Sequence, residues 1–239
     1  YKNGKQDSVY TSWFANGNIH VEGHFKNGDK SGIWKYYYFN GTLSETENYK
    51  NGKLDGKIIS YNEAGKEDRE YSYKDGDMEG ETKFYGDNGE LIIVFYYKKD
   101  NILGYSYFDK TGKLVPMIPL EKGAGTVDSY YKNGVKSAHM IFNEGEVDGE
   151  RILYYTNGKK LLTSYRINGL ENGPLKIYYP DGKLMKEENF YYDSPNGSFK
   201  YYNEDGSLIY NINYNLGSLN GECKYYSPEK LAKTYVYYY

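Results

Sequence analysis

Glycine returns along this chain at a fixed interval. Gly32, Gly56, Gly80 and Gly104 are 24 residues apart, as are Gly17, Gly41, Gly65 and Gly89, and as are Gly28, Gly52 and Gly76. A period of that length signals a repeat architecture, in which one supersecondary unit buries its apolar face only against its neighbours. Ten units align, starting at Ser8, Gly32, Gly56, Gly80, Gly104, Gly125, Gly149, Gly173, Gly197 and Gly221. The stretch Tyr49-Lys50-Asn51-Gly52-Lys53-Leu54-Asp55-Gly56 has near copies at Phe25-Lys26-Asn27-Gly28, Tyr73-Lys74-Asp75-Gly76 and Tyr214-Asn215-Leu216-Gly217.

Within a unit, the second glycine usually follows Asn or Asp: Asn16-Gly17, Asn40-Gly41, Asn88-Gly89, Asn133-Gly134, Asn157-Gly158, Asp181-Gly182, Asp205-Gly206. Such a pair between short aromatic runs predicts a tight type I′ hairpin turn, which needs positive φ at both central residues. A third glycine, replaced at Asp100 and Asp193, marks a wider turn; Asp tolerates the left-handed region better than most residues. Five residues after each start stands an aromatic: Trp13, Tyr37, Tyr61, Tyr85, Phe108, Tyr130, Tyr154, Tyr178, Tyr202, Tyr226. Two after the start stand Tyr10, Trp34, Ile58, Val127, Leu175, Phe199 and Cys223. The return strand carries Phe25, Tyr49, Tyr73, Tyr97, Leu120, Phe142, Phe190 and Tyr214 at one matched place, where Arg166 interrupts the series. Alternation with aromatic and β-branched enrichment predicts strands throughout and no helix. The expected fold is all-β: an elongated, open, twisted antiparallel β-meander of 24-residue hairpins.

One unit is irregular. Gly104 to Gly125 spans 21 residues, and its return strand holds Pro116 and Pro119, each of which removes a ladder donor. This predicts a kink near 113–124 between two halves of the array, 1–112 and 125–239.

Composition narrows the partners. Hydrophobic residues make up 38% of the chain, but the count includes 33 Tyr, which leaves too little aliphatic side chain for a thick two-sided core. Tyr has an apolar ring and a polar tip, suited to a thin sheet with partly wet faces. A net charge of −3 with no basic run argues against nucleic acid and anionic membranes. No stretch of 18 apolar residues exists, so no transmembrane helix is expected. Cys223 is the single cysteine, so neither an intrachain disulfide nor a cysteine metal cluster is expected. The opening Tyr1-Lys2-Asn3-Gly4 falls mid-repeat, which is consistent with a soluble chain, either cytoplasmic or exported with an N-terminal segment removed. The closing Tyr235-Val236-Tyr237-Tyr238-Tyr239 reads as an exposed edge strand.

The unit pattern, Gly-x-x-x-x-Tyr-Tyr-x-Asn-Gly-x-Leu, then Glu, then Tyr-Lys-Asn-Gly-Lys-Leu-Asp-Gly, is carried by Gly32 to Gly56 and Gly173 to Gly197 among others. It resembles the MORN repeat, and more closely the bacterial variant found in YwqK-family antitoxin-like proteins. The resemblance covers essentially the whole chain. It implies a non-catalytic scaffold that binds a partner protein, and the antitoxin label implies a toxin as that partner. It supplies no catalytic residue and no cofactor.

Residues with chemistry have structural readings. His20, Glu22 and His24 alternate on one strand, too widely spaced for easy chelation. His139 stands alone in the pattern. Asp55, Glu79, Glu81, Asp148 and Glu150 flank the unit-starting glycines and read as turn chemistry. Gly123-Ala124-Gly125 lacks the helix a phosphate loop needs. Cys223 reads as a small packed hydrophobe. The ten-aromatic ladder is cross-strand packing. A second, partial ladder, Tyr131, Tyr155 and Tyr179 with Tyr38 earlier, occurs in only some units and is the candidate partner-binding patch. No catalytic, metal or cofactor site is expected, and the function read from the sequence is partner-protein binding. The alternative is a cell-surface or cell-wall carbohydrate-binding repeat, of the kind that uses Trp cages for cationic ligands.

Overall fold

The computed structural model describes residues 4–86, 88–227 and 230–237. The chain's opening Tyr1, Lys2 and Asn3 and its closing Tyr238 and Tyr239 lie outside the described residues. The chain divides into two compact units, Tyr1–Glu121 and Lys122–Tyr239.

The first unit is one open antiparallel sheet. Its strands are β1 (Ser8–Trp13), β2 (Ile19–Lys26), β3 (Asp29–Tyr37), β4 (Leu43–Lys50), β5 (Lys53–Leu54), β6 (Gly56–Tyr61), β7 (Glu67–Lys74), β8 (Asp77–Tyr85), β9 (Leu91–Lys98), β10 (Asn101–Ser106) and β11 (Ile118–Pro119). They pair in chain order, with short β5 beside β4. The second sheet runs β12 (Gly125–Tyr130), β13 (Lys136–Asn143), β14 (Glu146–Tyr154), β15 (Lys160–Ile167), β16 (Leu170–Glu171), β17 (Gly173–Tyr178), β18 (Leu184–Tyr191), β19 (Ser194–Pro195), β20 (Gly197–Tyr202), β21 (Leu208–Asn215), β22 (Ser218–Leu219), β23 (Gly221–Ser227) and β24 (Lys230–Tyr237). It too is a meander of consecutive hairpins. The irregular unit keeps little of its return strand: Gly104 pairs Pro119 and Tyr105 pairs Ile118, and Phe108 and Leu114 form an isolated bridge.

The two turns of each unit exchange the roles the sequence suggests. At the first, only glycine has positive φ (Gly17 at 88°), and Asn16 does not. The Gly17 amide donates to the Phe14 carbonyl and the Phe14 amide to that of Asn18, a three-residue loop with a left-handed glycine and a bulge. Asn16 serves by its side chain, whose Oδ1 accepts from the Asn18 amide at 3.1 Å. The two-residue type I′ turn is the other one. Asn27 and Gly28 have φ of 54° and 92°, and Lys26 pairs Asp29 across it. Asp100 and Asp193 lie in the left-handed region at these turns, as their chemistry allows.

Each unit is tied to its neighbours along both rims of its sheet. At the type I′ rim, the second turn residue donates its amide to a carbonyl 22 residues earlier, as in Gly28 to Gln6, Gly52 to Lys30, Gly169 to Val147 and Gly217 to Pro195. Acids before the unit-starting glycines accept amides of the next such turn: Asp55 from Asp75, Glu79 from Lys99, Asp148 from Asn168.

Within each sheet, burial is concentrated on one face. Trp34, Ile58, Val127 and Cys223 at the second place after the start are buried, and Thr82 and Ser106 fill the same column. Trp34 is 2% exposed: Tyr10 stacks on it at 5.6 Å and Phe25 meets it edge-on at 4.8 Å. Gly23 lies beneath the indole, where a Cβ would stand 2.3 Å from the ring. On β9 both faces are covered, with Ile92, Ile93, Val94 and Phe95 all buried, which accounts for its unbroken apolar run.

Candidate functional site

The partial tyrosine ladder has a role inside the sheet. Tyr38 donates its hydroxyl to the Tyr61 carbonyl at 2.6 Å. Tyr131 donates to Tyr154, Tyr155 to Tyr178 and Tyr179 to Tyr202, at 2.5, 2.6 and 2.7 Å. In each case the acceptor belongs to the ten-aromatic ladder, one unit on. That acceptor sits at the bulge beside the first turn, where register slips by one residue, as at Tyr154 and Tyr178. These tyrosines are therefore struts between units. Tyr131 is 4% exposed and lies inside the structure rather than in an open cluster, whereas Tyr38, Tyr155 and Tyr179 are half-buried.

Charged residues interrupt the apolar face at several places, and two of these draw together side chains from separate columns of the repeat. In the first unit, the Lys30 ammonium lies 4.5 Å from the Trp34 ring centroid, 4.7 Å from that of Tyr49 and 5.4 Å from that of Tyr36. It donates to the Tyr36 hydroxyl at 2.6 Å and to Glu47 Oε2 at 3.2 Å, and Tyr36 donates to the same carboxylate. Burial works against the Lys30 charge, but Tyr36, Tyr49 and Glu47 outweigh it and hold the ammonium well above its ordinary range. The same surroundings push the Tyr36 hydroxyl up to about 12, through burial first and its bond to Glu47 second. This is an aromatic cage of the sort a cationic ligand would need, and the chain's own lysine fills it.

In the second unit, Arg151 and Arg166 converge on Glu171. Arg151 Nη2 lies 2.7 Å from Glu171 Oε1, and Arg166 Nε and Nη2 lie 2.9 and 2.8 Å from that same oxygen. The carboxylate-bearing residue is 8% exposed.

The opposite face of each sheet carries further ion pairs. Glu22 accepts from Tyr37 at 2.6 Å and from Lys35 at 3.2 Å; the Tyr37 bond foremost holds its carboxyl low. Glu70 bridges Lys57 and Lys83, which outweigh its burial and lower its pKa. His139 is not isolated, since Asp128 Oδ1 faces its Nδ1 at 2.8 Å and Lys136 at 2.7 Å. His20 sits against Phe14, 4.4 Å between ring centroids, so it does not join His24 as a chelating pair. Among the described residues, no group of three or more His, Cys, Asp or Glu side chains could hold a metal ion. No helix among them is long and apolar enough to cross a membrane.

Large apolar side chains stand out on this opposite face of the first two hairpins. Val9, Trp13 and Ile33 are 72%, 62% and 61% exposed, and Phe39, in the adjoining turn, is 60% exposed. Val9, Thr11 and Trp13 share one face by alternation, and Thr11 pairs Glu22, which holds Lys35 next to Ile33.

The family described as the MORN repeat variant matches at residues 6–27, 30–51, 78–99, 171–190 and 195–216. Those five segments are variant MORN repeats. No curated protein matches it. Solved structures similar to it include the Tc holotoxin pore of Photorhabdus luminescens, at 12% identity and a TM-score of 0.24 over 95% of this chain and 15% of that one. A TcdB2-TccC3 crystal structure is similar at 12% identity and 0.22, over 96% and 14%. This chain thus spans about one-seventh of the solved chains it matches, and such scores are too low to mark a shared fold.

The sequence marked Arg166 as a break in the aromatic series but passed over Arg151 and Glu171. The available signal was that three columns of the MORN unit break together in one unit.

Proposed function

We propose that this MORN chain is a non-enzymatic scaffold that binds a partner protein, and that the partner is a toxin which the chain holds inactive. The exposed apolar group Val9, Trp13, Ile33 and Phe39 carries this reading. A group of apolar side chains open to solvent on and beside one sheet face, with the Lys35–Glu22 pair set among them, has the mixed apolar and polar make-up of an interface. Its aromatic member Trp13 is of the kind that anchors interfaces. The half-buried rings of Tyr38, Tyr155 and Tyr179 enter as lesser contacts, since their hydroxyls are already engaged.

The test is affinity capture from lysate of the source cell with the wild type and with Trp13→Ser/Ile33→Ser, both checked for folding by circular dichroism. A protein that the wild type retains and the double variant loses, and whose toxicity on expression is relieved by the wild type alone, is the expected result. Identical captured proteins for both chains would exclude this patch, and capture without relief of toxicity would exclude the toxin reading.

A further inference from the structure

The repeats of this chain serve as one another's controls. What the fold needs should recur in every unit, so a unit that departs at several matched places together marks something the fold does not need. The unit starting at Gly149 departs in this way. Arg151 stands where other units have Tyr10, Trp34, Ile58, Thr82, Ser106, Val127, Leu175, Phe199 and Cys223. Arg166 stands where others have Phe25, Tyr49, Tyr73, Tyr97, Leu120, Phe142, Phe190 and Tyr214. Glu171 stands where others have Leu54, Met78, Ile102, Val147, Pro195 and Leu219, with Lys30 as the other charged member of that column.

Stability does not explain the departure. Exchanging a buried Arg–Glu–Arg cluster for well-packed apolar residues is often neutral or stabilising, and the neighbouring units show which apolar residues this position accepts. The backbone holds the three side chains in place. Arg166 pairs with both Gly149 and Glu171 across its strand, and Arg151 pairs with Ser164. Arg151 Nε also donates to Ser164 Oγ at 3.1 Å, and Arg166 Nη1 to the Gly169 carbonyl at 3.1 Å. The Glu171 amide donates to Asp193 at 2.7 Å. The Arg151 Nη2 and Arg166 Nε hydrogen bonds to Glu171 meet at one oxygen, Oε1, whereas a carboxylate can be held through both. Two guanidiniums and one carboxylate carry one net positive charge, the complement of a single further carboxylate. Both arginine side chains remain partly exposed, at 19% and 27%.

We propose that Arg151 and Arg166 form a carboxylate-recognition site, with Glu171 as the resident stand-in, and that its occupant is an acidic side chain of the partner protein. The identity of the occupant rests on the scaffold reading above; the carboxylate chemistry does not. The chain has three arginines, Arg69, Arg151 and Arg166, so arginine-selective 15N labelling yields three Nε–H signals with Arg69 as an internal reference. Sodium acetate is titrated at constant ionic strength against sodium chloride, with a separate sodium phosphate series. The site predicts saturable shifts of the Arg151 and Arg166 signals with acetate, while Arg69 stays fixed. Glu171→Gln removes the resident carboxylate and should tighten acetate at least tenfold. A triple variant carrying the residues of other units, Arg151→Leu/Arg166→Phe/Glu171→Leu, assigns the signals by their loss. Arg69→Lys identifies the reference signal independently, so the wild-type and Glu171→Gln titrations decide the matter without the triple variant. No saturable shift, an equal response to chloride, a response to phosphate alone, or unchanged or weaker acetate binding in Glu171→Gln would each overturn the site. None of these outcomes bears on the Trp13 capture experiment, so the two readings fail separately.

Discussion

If Tyr131, Tyr155 and Tyr179 are struts, removing only their hydroxyls should weaken the second unit in proportion. Tyr→Phe keeps the ring and deletes one donor to a carbonyl in the next unit. A hydrogen bond of this type contributes about 1 kcal/mol net, and more where the abandoned partner is shut off from water, as beside buried Tyr131. Sites one hairpin apart are roughly 10 Å from each other, far enough for such losses to add. Tyr131→Phe/Tyr155→Phe/Tyr179→Phe should therefore cost about 3 kcal/mol. With a denaturant slope of about 2 kcal/mol per molar, the urea midpoint falls by roughly 1.5 M. The assay is urea unfolding followed by far-ultraviolet circular dichroism, because Trp13 and Trp34 both lie in the first unit and report poorly on the second. Tyr165→Phe, at an exposed tyrosine, is the control and should change stability by less than about 0.5 kcal/mol. A triple variant that unfolds within about 0.3 M of the wild type would refute the strut assignment. It would return these rings to consideration as partner contacts alone.

Further outcomes follow from the turns, the Trp34 cluster and the tyrosine hydroxyls. Leu216 sits at a type I′ turn with φ of 44° and is 61% exposed; Leu216→Asn, matching Asn27 and Asn51, should add about 1 kcal/mol by relieving left-handed strain, and lower stability by denaturant titration would contradict that. Gly23→Ala drives a methyl into the Trp34 ring and should cost about 1–3 kcal/mol with loss of near-ultraviolet ellipticity; an unchanged spectrum would mean the indole is not packed there. Burial, then bonds to Glu47 and Glu22, raise the Tyr36 and Tyr37 hydroxyls to about 12, against roughly 10 when unfolded. The unfolded chain thus ionises first, so their contribution is complete below about pH 10 and is lost as pH rises toward 12. Melting temperature should fall across that interval, and by less in Tyr36→Phe/Tyr37→Phe; an equal fall in the wild type and the double variant would refute it.

Much of the fold was legible because its determinants are local and recur. The glycine period, the alternation in Gly173–Tyr178 and the prolines at 116 and 119 needed no knowledge of distant neighbours. The turn types were less legible. Asn-Gly occurs at both turns of the early units, and only loop length separates Asn16-Gly17, where Asn acts through its side chain, from Asn27-Gly28, where it is itself left-handed. The role of Tyr155 was hidden for a related reason: its acceptor lies 23 residues away, in the following unit, and no pattern inside one unit points to it. The Lys30 cage and the Arg151–Glu171–Arg166 cluster each draw on separate columns of the repeat. They become visible only when the exceptions in those columns are compared unit by unit.

The two kinds of tie between units point opposite ways. Type I′ turn amides reach upstream, from Gly217 to Pro195, while tyrosine hydroxyls reach downstream, from Tyr179 to Tyr202. A hairpin laid between two others is thus latched from before and behind, much as a roof tile is held by the courses above and below. A whole period excised or duplicated inside such a run closes every latch again, because the new neighbours offer the same carbonyls at the same places. A cut at any other length leaves donors facing nothing, so this architecture favours change in steps of one full repeat.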